Sequence, residues 1–152
     1  MEEYYLCSKY TIKQSLINKK MNYYHFADLI YKQAEKYHTR AAFQYRDAKT
    51  GKWLKVSWAD FSEKVRLTSQ ALVEFGLKPQ ERIGIYAQNM PECFYCDFGG
   101  YGARAVSVPM YATSSPAQIE YIIRDADIHI LFVGEQLQYN NAFTVQQETN
   151  DI

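Results

Sequence analysis

Cys93 and Cys96 stand in a C-x-x-C, a spacing that marks dithiol redox sites when a helix N-terminus favours the thiolate. Val108-Pro109 offers a proline for such a site. At i and i+3 of an aromatic-rich helix, the same two residues would instead pack as small apolar side chains. A closed zinc site needs four ligands, and there is no second C-x-x-C and no H-x-x-x-H. Gly99-Gly100-Tyr101-Gly102-Ala103-Arg104 is glycine-rich, but its spacing is wrong for G-x-G-x-x-G and it precedes a strand instead of following one. Small residues that let a helix end approach the sheet explain it. His25, His38 and His129 are scattered, with His129 in mid-strand, and Arg124, Asp125 and Asp127 read as a solvated turn. Ser107, Ser114 and Ser115 lack the G-x-S-x-G elbow of a serine nucleophile. The residues alone therefore assemble no catalytic constellation.

The elements that would position these groups are clearer. Residues 23–37 place Phe26, Leu29, Ile30, Ala34 and Tyr37 on one helical face. Residues 41–46 and 53–57 alternate as strands around a Gly- and Asp-bearing turn, so they form a hairpin. Ser57 caps the next helix, with Asp60 three residues on. Its stripe is Phe61, Val65, Thr68, Leu72 and Phe75, and Gly76 stops it. A short apolar strand, 82–87, is followed by a helix started at Asn89 and Pro91. Another strand covers 105–108. Ser115, Pro116 and Gln118 then open a helix that buries Ile119, Ile122, Ile123 and Ala126. Residues 128–133 form a third apolar strand. Strand, helix, strand, helix, strand over 81–133 calls for a parallel sheet with right-handed crossovers. The fold class is α/β: a hairpin and helix, then a βαβαβ unit. The expected organisation is a flexible polar lead over 1–22, an α/β subdomain over 23–135 and a polar, Gln/Asn-rich loop or tail over 136–152.

The 152 residues, 47% hydrophobic and 22% charged, exclude collagen-like, disordered and coiled-coil classes. No apolar run reaches the roughly 18 residues that span a bilayer, and no secretory signal is expected. Three cysteines do not make a disulfide framework, so a cytoplasmic protein with reduced thiols is expected, with at most a peripheral membrane association. Net charge is zero, which disfavours nucleic acid. It divides into 13 Lys/Arg against 8 Asp/Glu over 1–76 (+5) and 4 against 9 over 77–152 (−5), read as unevenly solvated faces.

Five segments in order resemble AMP-forming acyl-CoA synthetases and related adenylating enzymes. Val56-Ser57-Trp58-Ala59-Asp60-Phe61 resembles their T-Y-x-E-L. The stretch 75–85, FGLKPQERIGI, resembles L-G-(L/V)-x-x-G-D-x-V-A-I. Asn89-Met90-Pro91-Glu92 resembles N-S-P-E; 102–115, GARAVSVPMYATSS, resembles G-A-x-x-V-P-(L/I)-Y-x-T; and 118–126, QIEYIIRDA, completes the series. The Tyr111-Ala112-Thr113-Ser114-Ser115 wording is most similar to the long-chain fatty-acid–CoA ligase branch. Trp58 replaces Tyr, Phe61 replaces Leu, and Gln80-Glu81 replaces Gly-Asp, which implies a slightly different turn before the strand.

The resemblance implies the N-terminal portion of such a ligase, an incomplete part of its N-terminal domain. The complete enzyme would use ATP, Mg and CoA. Carboxylate attacks the ATP α-phosphate to give acyl-adenylate and pyrophosphate, and the CoA thiol then displaces AMP. The Ser/Thr/Gly-rich phosphate loop, the ribose-binding acid and the C-terminal lysine have no counterpart in these residues, so no catalytic residue, cofactor site or metal site is carried over. Tyr111, Thr113 and Ser114, after a strand's carboxyl end, are the expected substrate-proximal loop. The expected partners are the rest of the ligase and, through it, fatty acid, ATP and CoA. Self-association through an uncovered sheet edge is also expected. The alternatives are a non-catalytic interaction module, or half of a split ligase, and a thiol oxidoreductase using Cys93 and Cys96.

Overall fold

The computed structural model describes residues 4–7, 10–13, 25–149 and 152. The elements in chain order are β1 (Tyr4–Cys7), β2 (Tyr10–Lys13), α1 (Phe26–Tyr37), β3 (Ala41–Arg46), β4 (Trp53–Ser57) and α2 (Trp58–Glu74). They continue with β5 (Arg82–Tyr86), α3 (Pro91–Gly102), β6 (Val106–Met110), α4 (Pro116–Asp125), β7 (Ile128–Val133) and α5 (Gln136–Thr149). β1 and β2 pair antiparallel, so that part of the polar lead is a hairpin; the rest of the lead lies outside the described residues.

The βαβαβ expectation is met. β5 is the central strand of a three-stranded sheet, order β6-β5-β7, with both neighbours parallel to it. The separate hairpin β3–β4 is antiparallel. Strand alternation splits the core. Ile83 joins Leu72, Leu77, Ala103 and Ala105 under α2 and α3. Tyr86 joins Met110, Ile119, Ile123, Ile128, Ala142 and Val145 under α4 and α5. A third cluster, Ile30, Val56, Phe61 and Val65, ties α1 and the hairpin to α2. Helices thus cover both faces of the sheet, which is why β5 reads as a continuous apolar run.

The helix caps follow the sequence. Ser57 Oγ accepts from the Asp60 amide (3.1 Å), and Ser115 with Gln118 closes a full capping box. α3 is capped by no side chain; Met90 holds the position ahead of Pro91. Gly99 and Gly100 lie buried inside α3. A Cβ on Gly99 would come within 2.6 Å of Thr68 Cγ2, and one on Gly100 within 2.6 Å of Ile83 Cδ1. The glycines serve helix packing, as read from the sequence. Phe75, placed on the buried stripe of α2, is 80% exposed, because the helix ends at Glu74 and the chain turns away at Gly76 (φ +86°).

One further expectation is corrected. The polar segment after Gly134 is a helix, not a loose tail. Its buried stripe is Gln138, Ala142 and Val145, of which only two are apolar. At the turn before β5, Gln80 stands where the resemblance has glycine. Gln80 adopts φ +72°, a left-handed conformation that glycine enters freely, and its N–H donates to the Arg104 carbonyl (2.8 Å). Gln80→Gly is therefore expected to stabilise the fold by about 1 kcal/mol, seen as a higher urea midpoint; an unchanged or lower midpoint would contradict the strain.

Candidate functional site

β5 sends its following loop into α3, on one face of the sheet. The loops after β6 and β7 lead to α4 and α5 on the other face. Loops that part in this way open a crevice at the carboxyl ends of the strands, the usual ligand position in open α/β sheets. A cleft of about 890 Å³ lies there. The 87–94 segment after β5, Pro109 and Met110 of β6, Glu135 after β7, and residues 43–48 of the hairpin line it. Its volume falls within the range of small-molecule sites.

The walls are apolar and aromatic: Phe43, Tyr45, Ile85, Met90, Phe94 and Met110. Phe43 and Phe94 have ring centroids 5.4 Å apart. The charged residues are Asp47, Glu92, Asp97 and Glu135 against the single cation Arg46, whose Nε donates to the Gly51 carbonyl (3.1 Å). The Thr50 hydroxyl and amide donate to Asp47 and hold its carboxyl below the usual carboxylate range. Asp97 accepts from the Ser107 hydroxyl at 2.5 Å. No lysine lines the cleft. One arginine among four carboxylates cannot stabilise the charge of a triphosphate by itself. No group of three or more His, Cys, Asp or Glu capable of holding a metal occurs among the described residues.

Cys93 does line the cleft, and its thiol donates to the Gln88 carbonyl (3.1 Å). Cys96 does not line it. Burial, reinforced by Cys93, Asp97 and Glu92 nearby, pushes the Cys96 thiol up to about 12. A thiol so raised is held neutral at physiological pH and does not itself serve as an attacking thiolate. Cys93 and Cys96 are both free thiols of intermediate exposure.

The loop expected near substrate takes a divided form. Tyr111 is 86% exposed and Thr113 is exposed, whereas Ser114 is buried. None of the three lines the cleft, although Tyr111 follows Met110, which does. The loop is pinned from below. The buried Tyr86 hydroxyl donates to the Ser114 carbonyl (2.6 Å) and accepts from Asn141 Nδ2 (2.9 Å). Gln138 Nε2 donates to the Ala112 carbonyl (2.8 Å), and Gln138 Oε1 accepts from the Glu135 amide (3.1 Å). These partners on α5 were missed in the sequence, where their polarity reads as solvent exposure. The hairpin residues Phe43, Tyr45 and Asp47 were missed as well, because only the tertiary fold brings them to the strand ends. His129 is exposed on β7, and its Nε2 lies 3.2 Å from Asp127 Oδ1. Asp127 also accepts from Arg82 (2.8 Å).

The AMP-binding enzyme family model matches residues 30–151. The chain belongs to that family. Among curated relatives it is 27% identical over 96 residues to a long-chain-fatty-acid–CoA ligase of Xenopus laevis, covering 63% of this chain and 13% of that protein. It is 32% identical over 85 residues to fatty acyl-CoA synthetase A of Dictyostelium discoideum, again 13% of the relative. The chain thus spans a small part of the length of these relatives. Solved structures agree on the fold. An anthranilate CoA ligase in complex with anthranoyl-AMP superposes with a TM-score of 0.74 at 18% identity, over 86% of this chain and 24% of that one. The N-terminal domain of a Mycobacterium tuberculosis protein, FACL13, does so at 0.67 and 15%, over 82% and 29%. That likeness matches the fold of this chain to part of the N-terminal domain of the family's architecture. No helix among the described residues is long and apolar enough to cross a membrane.

Proposed function

We propose that this chain is the N-terminal α/β part of a long-chain fatty-acid–CoA ligase. The whole enzyme would convert fatty acid, ATP and CoA into acyl-CoA, AMP and pyrophosphate in the cytoplasm. The supporting observation is the family match over 30–151, together with curated relatives named for that activity. In this reading the chain is scaffold. β5, β6 and β7 hold the loops at the carboxyl ends of the sheet, and α5 fixes the loop after β6 through Gln138 and Asn141. Tyr111 and Thr113 are the substrate-proximal side chains, and Ser114 shapes their loop. ATP, Mg and CoA meet groups supplied by the rest of the ligase, because the cleft offers Arg46 as its only cation.

The test is ATP-dependent pyrophosphate release by the pure chain with long-chain fatty acids. The expected result is release no faster than the protein-free control. Turnover above that control would show that the residues on this chain suffice for adenylation and would end the scaffold reading.

A further inference from the structure

We infer that α5 and the loop at 111–114 open and close as one unit, so that the docking of α5 sets the position of Tyr111 and Thr113. Two side chains make the link, and each serves both partners at once. Gln138 is buried. Its Nε2 donates to the Ala112 carbonyl (2.8 Å) in the loop, and its Oε1 accepts from the Glu135 amide (3.1 Å) just ahead of α5. A glutamine that reaches back three residues in this way is one arm of a capping box. One side-chain amide thus starts α5 and holds the loop. Tyr86, buried at the end of β5, makes the other link. Its hydroxyl donates to the Ser114 carbonyl (2.6 Å) and accepts from Asn141 Nδ2 (2.9 Å). A carbonyl only accepts and an amide nitrogen only donates, so the hydroxyl proton has one place to point.

The two links act together because of where they sit on α5. Gln138 and Asn141 are three residues apart, so they share a helix face. Ala142 and Val145 lie on that same face and carry it into the core beside Tyr86. Undocking the face withdraws both of the loop's partners at once. The converse follows by linkage: a loop that leaves its place strands the buried Gln138 amide and the Tyr86 hydroxyl. Buried polar groups without partners are costly, so half-open states are disfavoured and the opening is cooperative. The loop's own turn is closed by the Ser114 amide on the Tyr111 carbonyl (2.9 Å). Thr113 stands between the two held carbonyls and Tyr111 leads into them, so both side chains ride on the unit. The linkage needs only these bonds. The further step, that Gln138 and Tyr86 are positioning residues for a substrate-proximal loop, rests on the ligase reading.

The test is amide-resolved hydrogen exchange of the pure chain, which reports local opening. One reporter is the Ser114 N–H in the loop. The other is the Tyr139 N–H in α5, which donates to the Glu135 carbonyl (2.9 Å). Tyr86→Phe removes only the hydroxyl. Gln138→Met keeps an unbranched side chain of equal helix propensity, so it does not weaken α5 by that route. Neither substitution touches the reporters' own hydrogen bonds. Each is expected to speed both reporters by a similar factor, at least about fivefold, with the β5 amides between β6 and β7 unchanged. Ser69→Ala is the control. It removes a hydroxyl bond to the Gly99 carbonyl (2.7 Å) on the other face of the sheet and is expected to leave both reporters as they were. One reporter speeding without the other would overturn the inference, because loop and helix would then open separately. So would reporters that neither variant moves, or that Ser69→Ala moves equally. Reporters that speed only in step with the β5 amides would also overturn it, because the opening would then be global.

Discussion

Phe61→Ala should cost about 3–5 kcal/mol of stability, the range for removing a buried aromatic ring. Phe61 is 4% exposed and joins three parts of the fold. It meets Phe43 of the hairpin edge-on at 5.3 Å, Tyr95 and Phe98 of α3 at 5.8 and 5.7 Å, and Trp58 at 6.2 Å. Small domains hold only about 5–15 kcal/mol in total, so the loss is a large share of what keeps the hairpin on the sheet unit. At about 1–3 kcal/mol per molar of urea, the midpoint should fall by more than 1 M. Phe75→Ala is the control. Phe75 is 80% exposed, and its removal should change stability by no more than about 0.5 kcal/mol. Equal effects from the two would contradict the core described here.

Cys96 carries the second large effect. Raising a thiol from its ordinary value of 9.0 to about 12 lowers the thiolate fraction at neutral pH roughly a thousandfold. The more basic thiolate is intrinsically more nucleophilic, which returns roughly twenty- to thirtyfold. Iodoacetamide should therefore alkylate Cys96 at least about thirtyfold more slowly than a free cysteine at pH 7. Peptide mapping after timed labelling measures this. The rate should climb with pH well past 9, because the thiol ionises late. A fast, pH-independent Cys96 would contradict the burial described for its thiol.

The sequence is most legible where local chemistry and burial agree. Ser57 with Asp60, and Ser115 with Gln118, marked two helix starts because capping depends on residues three apart. β5 was visible because a strand covered on both faces must be apolar throughout. α5 was hidden for a physical reason. Gln138 is buried and Asn141 half-buried, and their amides are satisfied by Ala112 and Tyr86, partners 26 and 55 residues away. No local window contains those partners, so the segment reads as solvated.

Gln80 shows the converse. It holds a left-handed conformation that a residue with a side chain tolerates poorly, and the neighbouring structure keeps the turn. The N–H of Gln80 on the Arg104 carbonyl and the Glu81 carboxylate on the Lys78 amide (2.8 Å) hold it. The cleft was the least legible feature. Phe43, Tyr45 and Asp47 belong to a hairpin some forty residues before the strand ends they face, and no spacing rule links them.

The transcript that encodes this chain tests the central claim most directly. The account predicts that the open frame continues past the codon for Ile152 and encodes a Ser/Thr/Gly-rich segment ending in lysine, the phosphate-binding part that the cleft lacks. A stop codon at that point, with the short chain accumulating as a stable protein, would contradict the ligase reading.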